Sequence, residues 1–159
     1  MPIEIRELDA TDREWARDFL MQHWGSTRVV SRGRLHQADQ LPGLLASLAG
    51  VRAGLLNYRV AGGELEVVTL QVTPPRQGLG SRLLEAAREK ARQRGCSRLW
   101  LITTNDNEPA QQFYERRGMR LVAIHRNALA ESRRLKPEIP LIGLGGRPIE
   151  DELEYEYRL

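Results

Sequence analysis

The stretch PPRQGLGSRLL (residues 74–84) lies between an apolar run, ELEVVTLQV (64–72), and a segment carrying Leu83, Leu84, Ala87 and Ala91 at helical spacing. Its two glycines, Gly78 and Gly80, each carry an entropic cost. Something at this junction of strand and helix must therefore need bare backbone. Gly95 stands where a helix C-terminal cap belongs. RLWLITT (98–104) follows as a short, nearly continuous apolar strand of the kind buried on both faces. Strand, helix and strand in that order make 65–72 and 98–104 parallel neighbours.

Upstream of this unit the pattern is different. IEIREL (3–8) alternates and reads as a strand, and Asp9 or Thr11 is placed to cap a helix running to about Gln22, with Trp15, Phe19 and Leu20 on one face. TRVVSRGRLH (27–36) reads equally as strand or loop. PGLLASLAG and VRAGLLNYRV, turned near Gly50, lead through AGG (61–63) into the central run, which makes an antiparallel meander. Downstream, a helix is expected over 108–117, with Pro109 in its first turn and Gly118 at its end. MRLVAIHRNAL reads as a strand, KPEIPLIGLGGRP as a loop, and ELEYEYRL as a strand with Leu153, Tyr155, Tyr157 and Leu159 on one face. The expected fold is α/β (α+β): a mixed sheet, antiparallel in its N-terminal part and parallel at its centre. With no repeat or linker in 159 residues, one domain over 1–159 is expected.

Composition narrows the class. Hydrophobic residues are 41% and charged residues 28%, the balance of a soluble globular protein. The net charge of +3 is mildly basic, but the arginines are spread along the chain and aromatics are only 6%, which does not favour a nucleic-acid partner. No apolar run approaches the ~18–20 residues that span a bilayer, so no membrane partner is expected. One cysteine, Cys96, excludes an internal disulfide and reads as a small apolar filler. With an acidic, strand-like N-terminus, this points to a cytoplasmic location. No metal is expected.

Glycines at a helix N-terminus let a phosphate approach unpaired amides. RQGLGS, flanked by Arg76 and Arg82, therefore has the makings of an anion cradle. The P-loop motif lacks its lysine here. The dinucleotide fingerprint lacks its third glycine, at Leu83, and its acid about 20 residues on, where Trp100 stands. The pyrophosphate loop of acyl-CoA enzymes tolerates the spacing, and a plain tight turn remains the alternative.

The segment NDNEPAQQFYERRGM (105–119) resembles the Asn-x-x-Ala-x-x-x-Tyr-Glu-x-x-Gly-Phe pattern of the GNAT family of N-acetyltransferases, with Asn107, Ala110, Tyr114, Glu115 and Gly118 in register and Met119 in place of the final aromatic. LEVVTLQV followed by QGLGSRLLEAA resembles that family's central strand and phosphate loop, with Gly78 and Gly80 matched and Pro75 at the Gln/Arg position. The element order fits over 1–159, and the tail resembles a group of small bacterial members.

The resemblance implies a GNAT-like sheet with helices on both faces, whose central parallel strands splay to admit acetyl-CoA. Leu70 and Val72 would pair through main-chain groups with the pantetheine. Gln77, Gly78, Leu79, Gly80, Ser81 and Arg82 would hold the pyrophosphate, and Asn107 would bond the pantetheine. An alkyl amine, of pKa roughly 10, must lose a proton before attack, and the departing thiolate, of pKa about 8.5, gains from one. Tyr114 is the implied acid. Glu66, on the central strand, is the leading base, with Glu64, His36 and His125 as alternatives. The variable, substrate-lining segment falls at 24–36. Arg32, Arg34 and Arg126 are placed to take a carboxylate or phosphate of an amphoteric, amino-acid-like acceptor. The expected partner is a small-molecule amine. A protein or peptide amine, a non-catalytic acyl-CoA sensor and a homodimeric state stay open.

Overall fold

A computed structural model describes residues 2–159. Seven strands form one sheet in the order β1 (Ile3–Glu7), β4 (Gly43–Leu48), β5 (Val51–Ala61), β6 (Glu64–Val72), β7 (Arg98–Thr104), β9 (Glu152–Arg158) and β8 (Arg120–His125). β2 (Arg28–Ser31) and β3 (Arg34–Gln37) form a separate hairpin. β1, β4, β5 and β6 are antiparallel, β6 and β7 are parallel, and β9 runs antiparallel to both β7 and β8. This is the mixed sheet the sequence leads one to expect. Two features of it are new. TRVVSRGRLH, readable as strand or loop, is a hairpin. MRLVAIHRNAL is not one strand: β8 stops at His125, and Ala128–Leu135 is a helix, α4.

The helices cover both faces. α1 (Arg13–Trp24) buries Ala16, Phe19 and Leu20 against Leu55 and Val68. Asp9 accepts a bond from the Thr11 amide at 2.8 Å and so caps the lead-in turn, and Gly25, at φ +71°, ends the helix. α2 (Leu79–Gln93) buries Leu83, Leu84, Ala87 and Ala91 on the other face, against Leu65, Val67, Leu99 and Leu101. Burying each such leucine contributes about 1.5–3 kcal/mol. Cys96 belongs to the same core. α3 (Glu108–Arg116) closes this side beside α2, its first turn capped by Asn107.

One irregularity sets the geometry of the centre. Across β5 and β6, Asn57 faces Thr69 while the next residue, Tyr58, faces Val67, so Val68 is an extra residue in β6. The bulge shifts the alternation by one. Leu65 and Val67 before it, and Leu70 and Val72 after it, all face the α2 core, while Val68 turns to α1.

Candidate active site

The bulge coincides with a break in pairing. β6 and β7 are paired from Glu64↔Arg98 to Val67↔Leu101 and no further, although β6 runs on to Val72 and β7 to Thr104. Parallel strands that separate in this way leave backbone groups without a strand partner, which a bound chain can satisfy. A cavity of about 240 Å³ fills the gap, lined by Val67, Leu70, Ile102, Asn107 and Tyr114 among others. Leu70 and Val72 also line its outward continuation over Gly80 and Phe113.

At the outer end a second cavity, of about 490 Å³, lies at the start of α2. Gly78, Leu79, Gly80 and Ser81 line it, together with Arg76, Arg116 and Arg117. Unpaired helix amides and three guanidinium groups make it a site for an anion. The two glycines serve different needs. Gly78 holds φ +81°, a left-handed conformation that disfavours side chains. A Cβ on Gly80 would stand 3.1 Å from Phe113 Cζ, so bare backbone is needed there for α3 to close down. The exposed side chains of Gln77 and Arg82 do not line this cavity. Arg76, Arg116 and Arg117 do line it; nothing singles out the last two in YERRG, where cations also suit the last turn of a helix. Arg117 donates from Nε to Ser81 Oγ at 2.6 Å and lies 3.8 Å above the Phe113 ring, which ties α3 to α2.

Tyr114 stands at the inner end of α3, packed against Phe113 and Tyr155 and bordering both inner cavities. Burial pushes its phenol up to about 12, so it keeps its proton at neutral pH and can donate it. Asn107 reaches the same cavity, but its side-chain oxygen is committed to the Ala110 amide at 3.2 Å, which leaves its amide nitrogen as the group to offer.

The opposite face of the sheet, beside the last paired residues of β6, carries charged side chains. Glu66, on β6, is only 4% exposed; Ser31 Oγ donates to its Oε2 at 2.7 Å, and His36 Nε2 lies 3.8 Å from its Oε1 without a hydrogen-bond partner among the described residues. Burial raises the Glu66 carboxyl, against the pull of Ser31 and nearby Arg59. Burial, with Arg59 and Arg34 nearby, lowers His36 to about 4, so its ring is neutral near pH 7. The alternatives to Glu66 stand elsewhere: Glu64 pairs with Arg98 at 3.1 Å, and His125 with Glu154 at 2.9 Å.

The arginines expected to receive an acceptor anion do not converge. Arg32 donates from Nη1 to Glu152 Oε1 at 3.0 Å, so its charge is already matched. Arg126 is 76% exposed and 3.8 Å from Asp151. Arg34 is exposed at the start of β3. In their place, Trp24, Val29, Val30 and Leu129 wall a cavity of about 240 Å³ and a wider neighbour of about 510 Å³, which Arg28, Lys136 and Glu138 also line. Trp24 Nε1 donates to Gln71 Oε1 at 2.8 Å, fixing the end of α1 against β6.

Comparison with known proteins agrees with this geometry. Residues 7–119 match the model of the acetyltransferase (GNAT) family. The chain is 37% identical over 137 residues to YdhI, an uncharacterised protein of Bacillus subtilis, covering 86% of each chain. Its fold is that of a B. subtilis acetyltransferase solved in complex with CoA, at 18% identity and TM-score 0.71 over 99% of each chain. A GNAT acetyltransferase from Elizabethkingia anophelis with acetyl-CoA bound has the same TM-score and identity, over 99% of this chain and 98% of its own. The chain belongs to the acetyltransferase (GNAT) family.

Proposed function

We propose that this protein moves the acetyl group of acetyl-CoA to a primary amine of a small acceptor. The observation that carries the reading is the gap between β6 and β7, with a cationic cradle at one end and a small, walled pocket at the other. When bound, acetyl-CoA supplies a thioester open to attack. Gly78 to Ser81, with Arg116 and Arg117, hold its pyrophosphate against the start of α2. Main-chain groups of Leu70 and Val72 and the amide of Asn107 hold the pantetheine arm. Glu66 takes a proton from the acceptor, directly or through water, and Tyr114 returns one to the departing sulfur. A buried, raised carboxyl and a protonated phenol on opposite faces of the sheet suit those two tasks.

The walled pocket favours a small molecule over a protein amine. The amino-acid-like form of the reading relied on Arg32 and Arg126 in one cleft, and their positions withdraw that support. The test is to mix the protein with acetyl-CoA and a panel of primary amines and follow thiol release. Turnover of at least one small amine is expected. Tight acetyl-CoA binding with no thiol released for any amine would replace this reading by that of an acyl-CoA sensor.

A further inference from the structure

The acceptor side holds a carboxylate that no motif singles out. Glu152 opens β9 opposite Thr104 of β7, on the sheet face shared with Glu66, and is 2% exposed. It nevertheless borders the 240 Å³ cavity, beside Ser31, Val68, Ile102 and Thr103. A buried carboxylate must be paired, and among the described residues Glu152 is paired by one residue alone. Arg32 reaches Oε2 with its main-chain N–H at 3.2 Å and Oε1 with Nη1 at 3.0 Å.

The two bonds differ in permanence. The main-chain donor is fixed by the turn between β2 and β3, where Arg32 itself is held at φ +49°. The guanidinium belongs to a side chain that is 40% exposed and can leave for water. The preceding residue, Ser31, bonds Glu66. One hairpin turn therefore holds two carboxylates, from β6 and β9, on either side of β7; Arg32 is the cation bonded to Glu152, while Arg59 and Arg34 act on Glu66 from farther off.

We propose that Glu152 receives the ammonium group of the acceptor and that the Arg32 guanidinium is a resident counter-ion displaced when the acceptor enters. The inference rests on the small-amine reading above and says which charge the site recognises. The Arg32 amide keeps Oε2 oriented while Oε1 changes partners. The walls formed by Trp24, Val29 and Leu129 select an amine with a hydrocarbon body.

The probes are 2-phenylethylamine and its uncharged isostere 2-phenylethanol, each titrated calorimetrically into protein saturated with CoA. The wild type is expected to bind the ammonium at least tenfold tighter than the alcohol. Glu152→Gln should lose that preference by weakening amine binding tenfold or more, with the alcohol unchanged as a control for folding. Arg32→Gln, which removes the competing cation, should bind the amine several-fold tighter. The inference is overturned by equal amine affinity in wild type and Glu152→Gln, by weaker amine binding in Arg32→Gln, or by no amine binding to the wild type. Thiol release separates the two readings. Binding at Glu152 without turnover of any amine sinks the acetyltransfer reading alone, and turnover indifferent to Glu152→Gln sinks this one alone.

Discussion

The two ends of the cleft are made of different materials. The cofactor end consists mainly of helix start, glycines and strand backbone, with side chains of α3, and most of its parts fall between Val67 and Arg117. The acceptor end consists of side chains from three distant places: Ser31 and His36 on the hairpin, Glu66 on β6 and Glu152 on β9. Backbone presents the same groups whatever the residue. A site made from it can be kept while its side chains drift, and a site made from buried charges can be retuned by a single substitution. Substitutions should therefore divide, with those on the acceptor side or at Tyr114 changing turnover and those at the glycines changing cofactor affinity.

The largest effect is expected at the two proton-transfer candidates. Tyr114→Phe and Glu66→Gln should each lower kcat by roughly 10²–10⁴-fold and leave calorimetric acetyl-CoA affinity near the wild-type value. Because burial raises the Glu66 carboxyl, the acid limb of kcat/KM should lie above the ordinary carboxylate range and vanish in Glu66→Gln. Unaltered kcat in either variant would remove that residue from the chemistry.

Next in size are the glycines. Gly80→Val should push Phe113 and α3 outward and raise the acetyl-CoA Kd about tenfold or more, about 1.4 kcal/mol or beyond. Gly78→Ala meets only Ile3 Cδ1, at 4.0 Å, but sits on a left-handed backbone, which costs roughly 1–2 kcal/mol. It should weaken binding less than Gly80→Val and cost stability instead. If acetyl-CoA titrates both variants like the wild type, the start of α2 is not the cradle.

A stability effect comes third. The native state holds His36 at about 4, while an unfolded histidine titrates near 6.5. Between those values the unfolded chain binds a proton that the native chain refuses, so this residue's contribution falls as pH falls through that window. Glu66, raised by burial, acts in the opposite sense. The quantity to measure is thus the difference between wild type and His36→Gln in denaturant unfolding at pH 7 and pH 4.5. Wild type should lose up to about 3 kcal/mol more than the variant. Parallel losses would show that the ring is not buried neutral. The smallest effect is expected at Arg126→Ala, under twofold on acceptor KM, because that side chain points to solvent. A tenfold rise would bring back the anion-binding reading of this arginine.

This division of materials also explains how far the sequence could be read. Gly78, Gly80, the apolar face of α2, the strand at 98–104 and the Asn107 cap are local signals within one continuous stretch, and each reports its own backbone geometry. α4 was missed because nothing punctuates RLVAIHRNALAESRRL: the helix starts from Asn127 at φ +57° with no side-chain cap. Glu152 was missed for a different reason. Its strand alternates Leu153, Tyr155 and Tyr157 with Glu152, Glu154 and Glu156, which reads as a core face and a solvated face. The second face is covered by the hairpin at Glu152 and by Arg98 and His125 beside Glu154 and Glu156, and none of these neighbours leaves a mark on ELEYEYRL. The positions of Arg32 and Arg126 were unreadable for the same reason, since an arginine's partner is a matter of tertiary neighbours.

The insertion of β9 between β7 and β8 has a consequence for how the protein is made. β8 reaches the rest of the sheet only through β9, and β9 emerges from the ribosome after every other strand. Until it does, β7 exposes the edge that β9 will take, β8 has no neighbour in the sheet, and the acceptor pocket lacks Glu152. A nascent chain can therefore assemble its cofactor cradle before its acceptor pocket. Translation stalled before residue 152 would leave a fragment with one unpaired strand edge and no means of completing the second half of its site.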